Sequence, residues 1–215
     1  MRAPPGGSPA RVSMTCALHE LTPLAPPLVY VIDGEDRIQT LNEAYLADAS
    51  TWGGDPDAVR QALVGQVLWQ VLPGVGEWYG PLVRRARADQ REVCFPFRCD
   101  TPDFRRLMRM RITPQPRGAV AFESSLVGVQ PRAHVEVLEG TGASGGSIVT
   151  MCSWCKRVDA DGAWLEVEEA LARLGADAYH LPALSHGICP RCLGELTALA
   201  QSPDATLSID LPEAP

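Results

Sequence analysis

Leu28-Val-Tyr-Val-Ile-Asp-Gly-Glu-Asp-Arg-Ile-Gln-Thr-Leu41 decides the fold of the first half of this chain. Residues 28–32 are β-branched, aromatic or leucine, the composition of a strand. Asp33-Gly-Glu-Asp36 supplies turn formers, and Arg37-Ile-Gln-Thr-Leu41 then alternates polar and apolar. The pattern predicts two strands joined by a short turn, the second half-buried. Asn42 follows at once and is suited to cap a short helix through Glu43-Ala-Tyr-Leu-Ala47.

Further along, Val59, Leu63, Val67, Leu68, Val71 and Leu72 recur mostly three or four residues apart. That periodicity predicts one amphipathic helix over residues 58–72, stopped at Pro73. A second helix is expected over residues 81–88, packed through Leu82, Val83 and Ala86. Three strands are expected at residues 92–99, 105–113 and 119–127. In the middle one Met108, Met110 and Ile112 alternate with Leu107, Arg109 and Arg111, predicting one buried and one basic face. Two strands, helices, then three strands make an α+β domain. The plainer reading of Arg84, Arg85, Arg87, Arg105, Arg106, Arg109 and Arg111 is a solvated face. The alternative is a docking surface for an acidic partner, with Glu166-Val-Glu-Glu169 of the same chain as one candidate.

The second half carries Cys152-Ser-Trp-Cys155 and Cys189-Pro-Arg-Cys192. Two such knuckles can aim four thiolates at one point, the shell a structural zinc ion prefers. The helix between them, with Trp164, Val167, Leu171 and Leu174 on one stripe and Gly175 as its stop, offers only a small apolar face. A structural zinc ion contributes about 10–16 kcal/mol in small peptide domains, enough to decide whether a module of this size folds. His186, three residues before Cys189, is an alternative ligand or a residue supporting the ligands.

Across 215 residues the formal charge is −7, which disfavours nucleic acid and anionic lipid as partners. No apolar run reaches the roughly 18 residues of a membrane span. The start has no secretion signal, so a cytoplasmic protein is expected, with Met1 or Met14 as its first residue. In that reducing compartment seven cysteines are better explained by metal ligation or burial than by disulfides. Residues 1–24 and the Pro- and acid-rich residues 202–215 are expected to be disordered. Residues 131–150, glycine- and serine-rich at their centre, are expected to link the two halves.

The order of elements, with Val29-Tyr-Val-Ile-Asp33, Asn42, and Leu63-Val-Gly65 leading to Leu72-Pro73, resembles a PAS domain. Phe97-Arg-Cys99-Asp-Thr-Pro102 with Arg106-Leu-Met-Arg-Met-Arg-Ile-Thr-Pro114 is similar to a subgroup found in bacterial sensor proteins. The resemblance spans residues 25–130 and implies a five-stranded antiparallel sheet with helices, used for sensing or dimerisation. Residues 151–201, with Met151-Cys-Ser-Trp-Cys-Lys-Arg-Val158 and Ser185-His-Gly-Ile-Cys-Pro-Arg-Cys192, resemble a small cysteine module that follows signalling domains in bacteria. A zinc-stabilised helical module is therefore expected there.

PAS domains often hold a small molecule between sheet and helices. The residues expected at such a pocket are Tyr30, Tyr45, Trp69, Cys94, Phe95 and Met110, for all of which plain core is the simpler reading. The ligand itself is not indicated. Light-sensing flavin members carry an Asn-Cys-Arg segment absent here, and haem members need a histidine that residues 25–130 lack. No kinase, cyclase or phosphatase motif is present. The expected function is a non-catalytic signalling protein acting on a protein partner or on a second copy of itself as a homodimer. Two alternatives are a thiol redox switch built on Cys152, Cys155, Cys189 and Cys192, and a zinc-ribbon-type transcription regulator.

Overall fold

The computed structural model describes residues 21–139, 147–176 and 181–209, Trp52 and Pro203 excepted. Strands β1 (Leu28–Ile32) and β2 (Ile38–Leu41) pair antiparallel. Asp33 closes their turn by accepting from the backbone N–H groups of Glu35 and Arg37, both at 2.9 Å. Helix α1 (Glu43–Thr51) begins at Asn42, whose Oδ1 accepts from Tyr45 N at 2.9 Å. The same oxygen accepts from Val29 N, so one side chain caps the helix and ties it to β1.

The helix expected over residues 58–72 is two helices, α2 (Pro56–Leu63) and α3 (Leu68–Val71). Gly65 adopts φ +87°, a conformation that ends a helix. Its N–H donates to Ile38 O at 2.8 Å, and Ile38 N donates to Gln66 O at 2.9 Å. The backbone at 65–66 therefore pairs with β2. Helix α4 runs over Gly76–Asp89, longer than the expected 81–88, because it passes through Pro81 at the loss of one backbone donor.

Strands β3 (Val93–Arg98), β4 (Phe104–Pro114) and β5 (Val120–Pro131) complete the sheet, in the antiparallel order β2-β1-β5-β4-β3. The α+β architecture with a five-stranded antiparallel sheet is as expected. Ile32, Phe95, Ile112 and Phe122 from the sheet meet Leu46, Leu68, Leu82 and Val83 from the helices in the core. The opposite face of β4 is not the solvated basic surface of the plainer reading. Arg109 is buried there, donating to Leu21 O at 3.0 Å and lying 3.7 Å from Glu123.

The C-terminal unit contains β6 (Ile148–Cys152), β7 (Val158–Ala160), β8 (Ala163–Leu165), α5 (Val167–Arg173), β9 (Ala183–Gly187) and α6 (Pro190–Gln201). Its strands form a second sheet, β8-β7-β6-β9, in which β6 and β9 are parallel. Trp164 lies in β8 and not on the helix, because Asp161 (φ 54°) and Gly162 (φ 84°) turn the chain back first. Val135 and Val137, in the stretch expected to be a linker, are buried against Met151, Val158 and Val167. Leu207 and Ile209, in the tail expected to be disordered, are 4% and 3% exposed and join the main core. Apolar side chains at these positions gain by leaving water even though their segments are rich in turn formers.

Candidate metal centre

Parallel pairing of β6 with β9 builds the centre. Cys152 lies opposite Gly187, which places the first knuckle beside the strand that leads into Cys189. A Cβ on Gly187 would come within 2.8 Å of Thr150 Cγ2, so any larger residue would force Thr150 or the strand to shift. The first knuckle is shaped by Lys156 N donating to Cys152 O and by Cys152 N donating to Arg157 O, with Lys156 in the left-handed region. The second lies at the start of α6. Cys189 caps that helix, accepting at Sγ from Cys192 N at 3.4 Å.

The sulfurs of Cys152, Cys155, Cys189 and Cys192 all lie within 4.8 Å of one another, and every one is buried. Cys155 Sγ and Cys189 Sγ are 3.8 Å apart. Zinc–sulfur bonds of about 2.3 Å in a tetrahedron require sulfurs about 3.8 Å apart, and a disulfide requires about 2.05 Å. The donor set thus fits a thiophilic divalent ion. Thiol donation from Cys155 and Cys192 pulls the Cys152 thiol down, while Cys155 is pushed up to about 12, chiefly by its bond to Cys152. Adjacent thiolates repel one another, and a bound cation offsets that repulsion.

His186 is not in the sulfur cluster. It lies on β9 with part of its surface exposed, and partial desolvation of its ring together with the charge of Lys156 lowers its pKa. His134 is exposed, between Asp103 at 2.9 Å and Glu139 at 3.3 Å. His19 and His180 lie outside the described residues.

The cysteine unit is clamped to the sheet. Arg98 N, at the end of β3, donates to Trp154 O at 2.7 Å. The Arg98 guanidinium, 1% exposed, pairs with Asp100 and with Glu166 at 2.8 Å. Glu168 bonds Arg105 at 2.6 Å and Arg132 at 2.7 Å. Of the arginines read as basic, Arg105 therefore meets the acidic segment of the same chain, while Arg98 and Arg132 were not among the candidates. Arg98 sits on an apolar-looking strand, and no local pattern marks such a residue as buried. Trp154 lies between the first two ligands and packs on Tyr79, ring centres 5.4 Å apart.

Beside this clamp is a cavity of about 520 Å³. Of the expected pocket residues, Tyr30, Trp69 and Met110 line it; Tyr45, Cys94 and Phe95 do not. Phe95 is fully buried core, and Cys94, on the opposite side of β3, has its thiol pushed up to about 11 by burial.

No protein family matches this chain, and no curated protein matches it. Among solved structures it is similar to a sensory box sensor histidine kinase from Vibrio cholerae, at 11% identity over 54% of this chain and 90% of that one, TM-score 0.37. It is also similar to the photoactive yellow protein domain of the sensor histidine kinase Ppr from Rhodospirillum centenum, at 15% identity over 47% and 92%, TM-score 0.32. Among the described residues no helix is long and apolar enough to cross a membrane.

Proposed function

We propose that this chain is a non-catalytic, cytoplasmic signalling protein in which a PAS-type domain is coupled to a structural zinc module. The observation that carries the reading is the clamp: the knuckle backbone bonds to β3, and Arg98 joins the sheet to Glu166 of the module. A change at the sheet would shift the knuckle directly. Cys152, Cys155, Cys189 and Cys192 would hold the ion, which supplies the positive charge that four adjacent thiolates need. The output is contact with a protein partner or a second copy of the chain, with no reaction of its own.

A redox switch on the same sulfurs is the second reading, favoured by their closeness. Their burial argues against it, since oxidants reach exposed thiolates first. Purified protein should contain one zinc per chain and keep it under mild peroxide. Zinc release with loss of free thiols would transfer the argument to the switch, and ATP hydrolysis or autophosphorylation would remove the non-catalytic part.

A further inference from the structure

We propose that the cavity between sheet and knuckle is a composite binding site for a planar aromatic acid. One wall belongs to the sensor half, with Tyr30, Trp69, Trp78 and Tyr79; the other belongs to the knuckle, with Trp154 and Lys156. A volume of about 520 Å³ lies within the range of small-molecule pockets. The aromatic side chains in this lining favour a flat apolar body.

The charges along the lining set the sign of its polar end. Trp154 is 3% exposed and contributes apolar ring surface to the knuckle wall. Lys156 places an ammonium on the same wall; one of its protons goes to Ser153 O at 3.1 Å and the others remain for a ligand. Arg98 also lines the cavity, but its charge is taken by Asp100 and Glu166. Glu77 lies on the sensor wall and disfavours a carboxylate placed at that end, which sends the acid toward the knuckle. A carboxylate beside Lys156 pairs the cation. A protonated amine would meet Lys156 as a like charge.

The inference rests on the four-sulfur reading, because Trp154 is positioned between two of the ligands. The test is calorimetry on the full chain of known zinc content, with 2-naphthoate, 2-naphthol and 2-naphthylmethylamine as probes. Naphthoate is expected to saturate one site and to bind about tenfold or more tightly than the amine, the scale of a charged hydrogen bond. Lys156→Met should abolish that preference without changing the zinc-to-chain ratio. Leu72→Trp, at a half-exposed position on the cavity lining, should weaken all three probes while leaving the core untouched. Equal or tighter binding of the amine, no saturation by naphthoate below about 1 mM, or an unchanged preference in Lys156→Met would overturn the proposal. Absence of zinc from the unaltered protein would instead count against the metal reading, whatever naphthoate does.

Discussion

Space at Gly187 dictates its identity more strictly than backbone conformation does. Alanine there would drive Cβ to 2.8 Å from Thr150 Cγ2, with strand backbone on both sides holding the two residues in register. Gly187→Ala should therefore destabilise the protein by about 1–3 kcal/mol, the cost of overpacking. Thr150→Ser removes the offending methyl and keeps the hydroxyl that meets Ser185 Oγ at 3.1 Å. The double variant should recover most of the loss in urea denaturation; no recovery would mean that the glycine is needed for another reason. At this scale the clustering of the four cysteines was legible because a repeated spacing survives without knowledge of the fold. The clash at Gly187 was not, because it depends on a partner 37 residues away in sequence that only strand pairing brings close.

At the scale of elements, the β1–β2 hairpin and the three long strands were read from alternation and turn formers, and Asn42 from its capping chemistry. The break at Gly65 was hidden because apolar spacing continues across it, while hydrogen bonds to Ile38 decide the local conformation. Asp161-Gly162 is a strong two-residue hairpin signal with both φ values positive. It was masked by the helical spacing of Trp164, Val167, Leu171 and Leu174. Arg98 shows how elements are joined. Removing its guanidinium leaves Glu166 and the buried Asp100 with fewer partners, although Arg132 still bonds Asp100 at 3.0 Å. Breaking a buried pair costs about 3–5 kcal/mol, and the remaining arginines place Arg98→Met near the lower end. A loss below about 1 kcal/mol in equilibrium unfolding would show that the clamp does not hold the halves together.

For the whole molecule, one continuous core runs from Ile32 and Phe95 through Trp154 and the four cysteines to Leu199 and Ile209. The sequence divides into two halves at a glycine-rich stretch, but apolar burial does not follow that division. Sequence patterns report the period of each element and are silent on which elements share an interior. On the proposed reading, an ion at the four sulfurs is a condition for the shape of the sheet's neighbour and of the cavity beside it.

X-ray absorption at the zinc edge of the purified protein tests that condition most directly. Four sulfur neighbours at about 2.3 Å, one zinc per chain and no nitrogen or oxygen in the shell are the predicted result. A shell with fewer than four sulfurs, or fully folded protein that carries no metal, would contradict it.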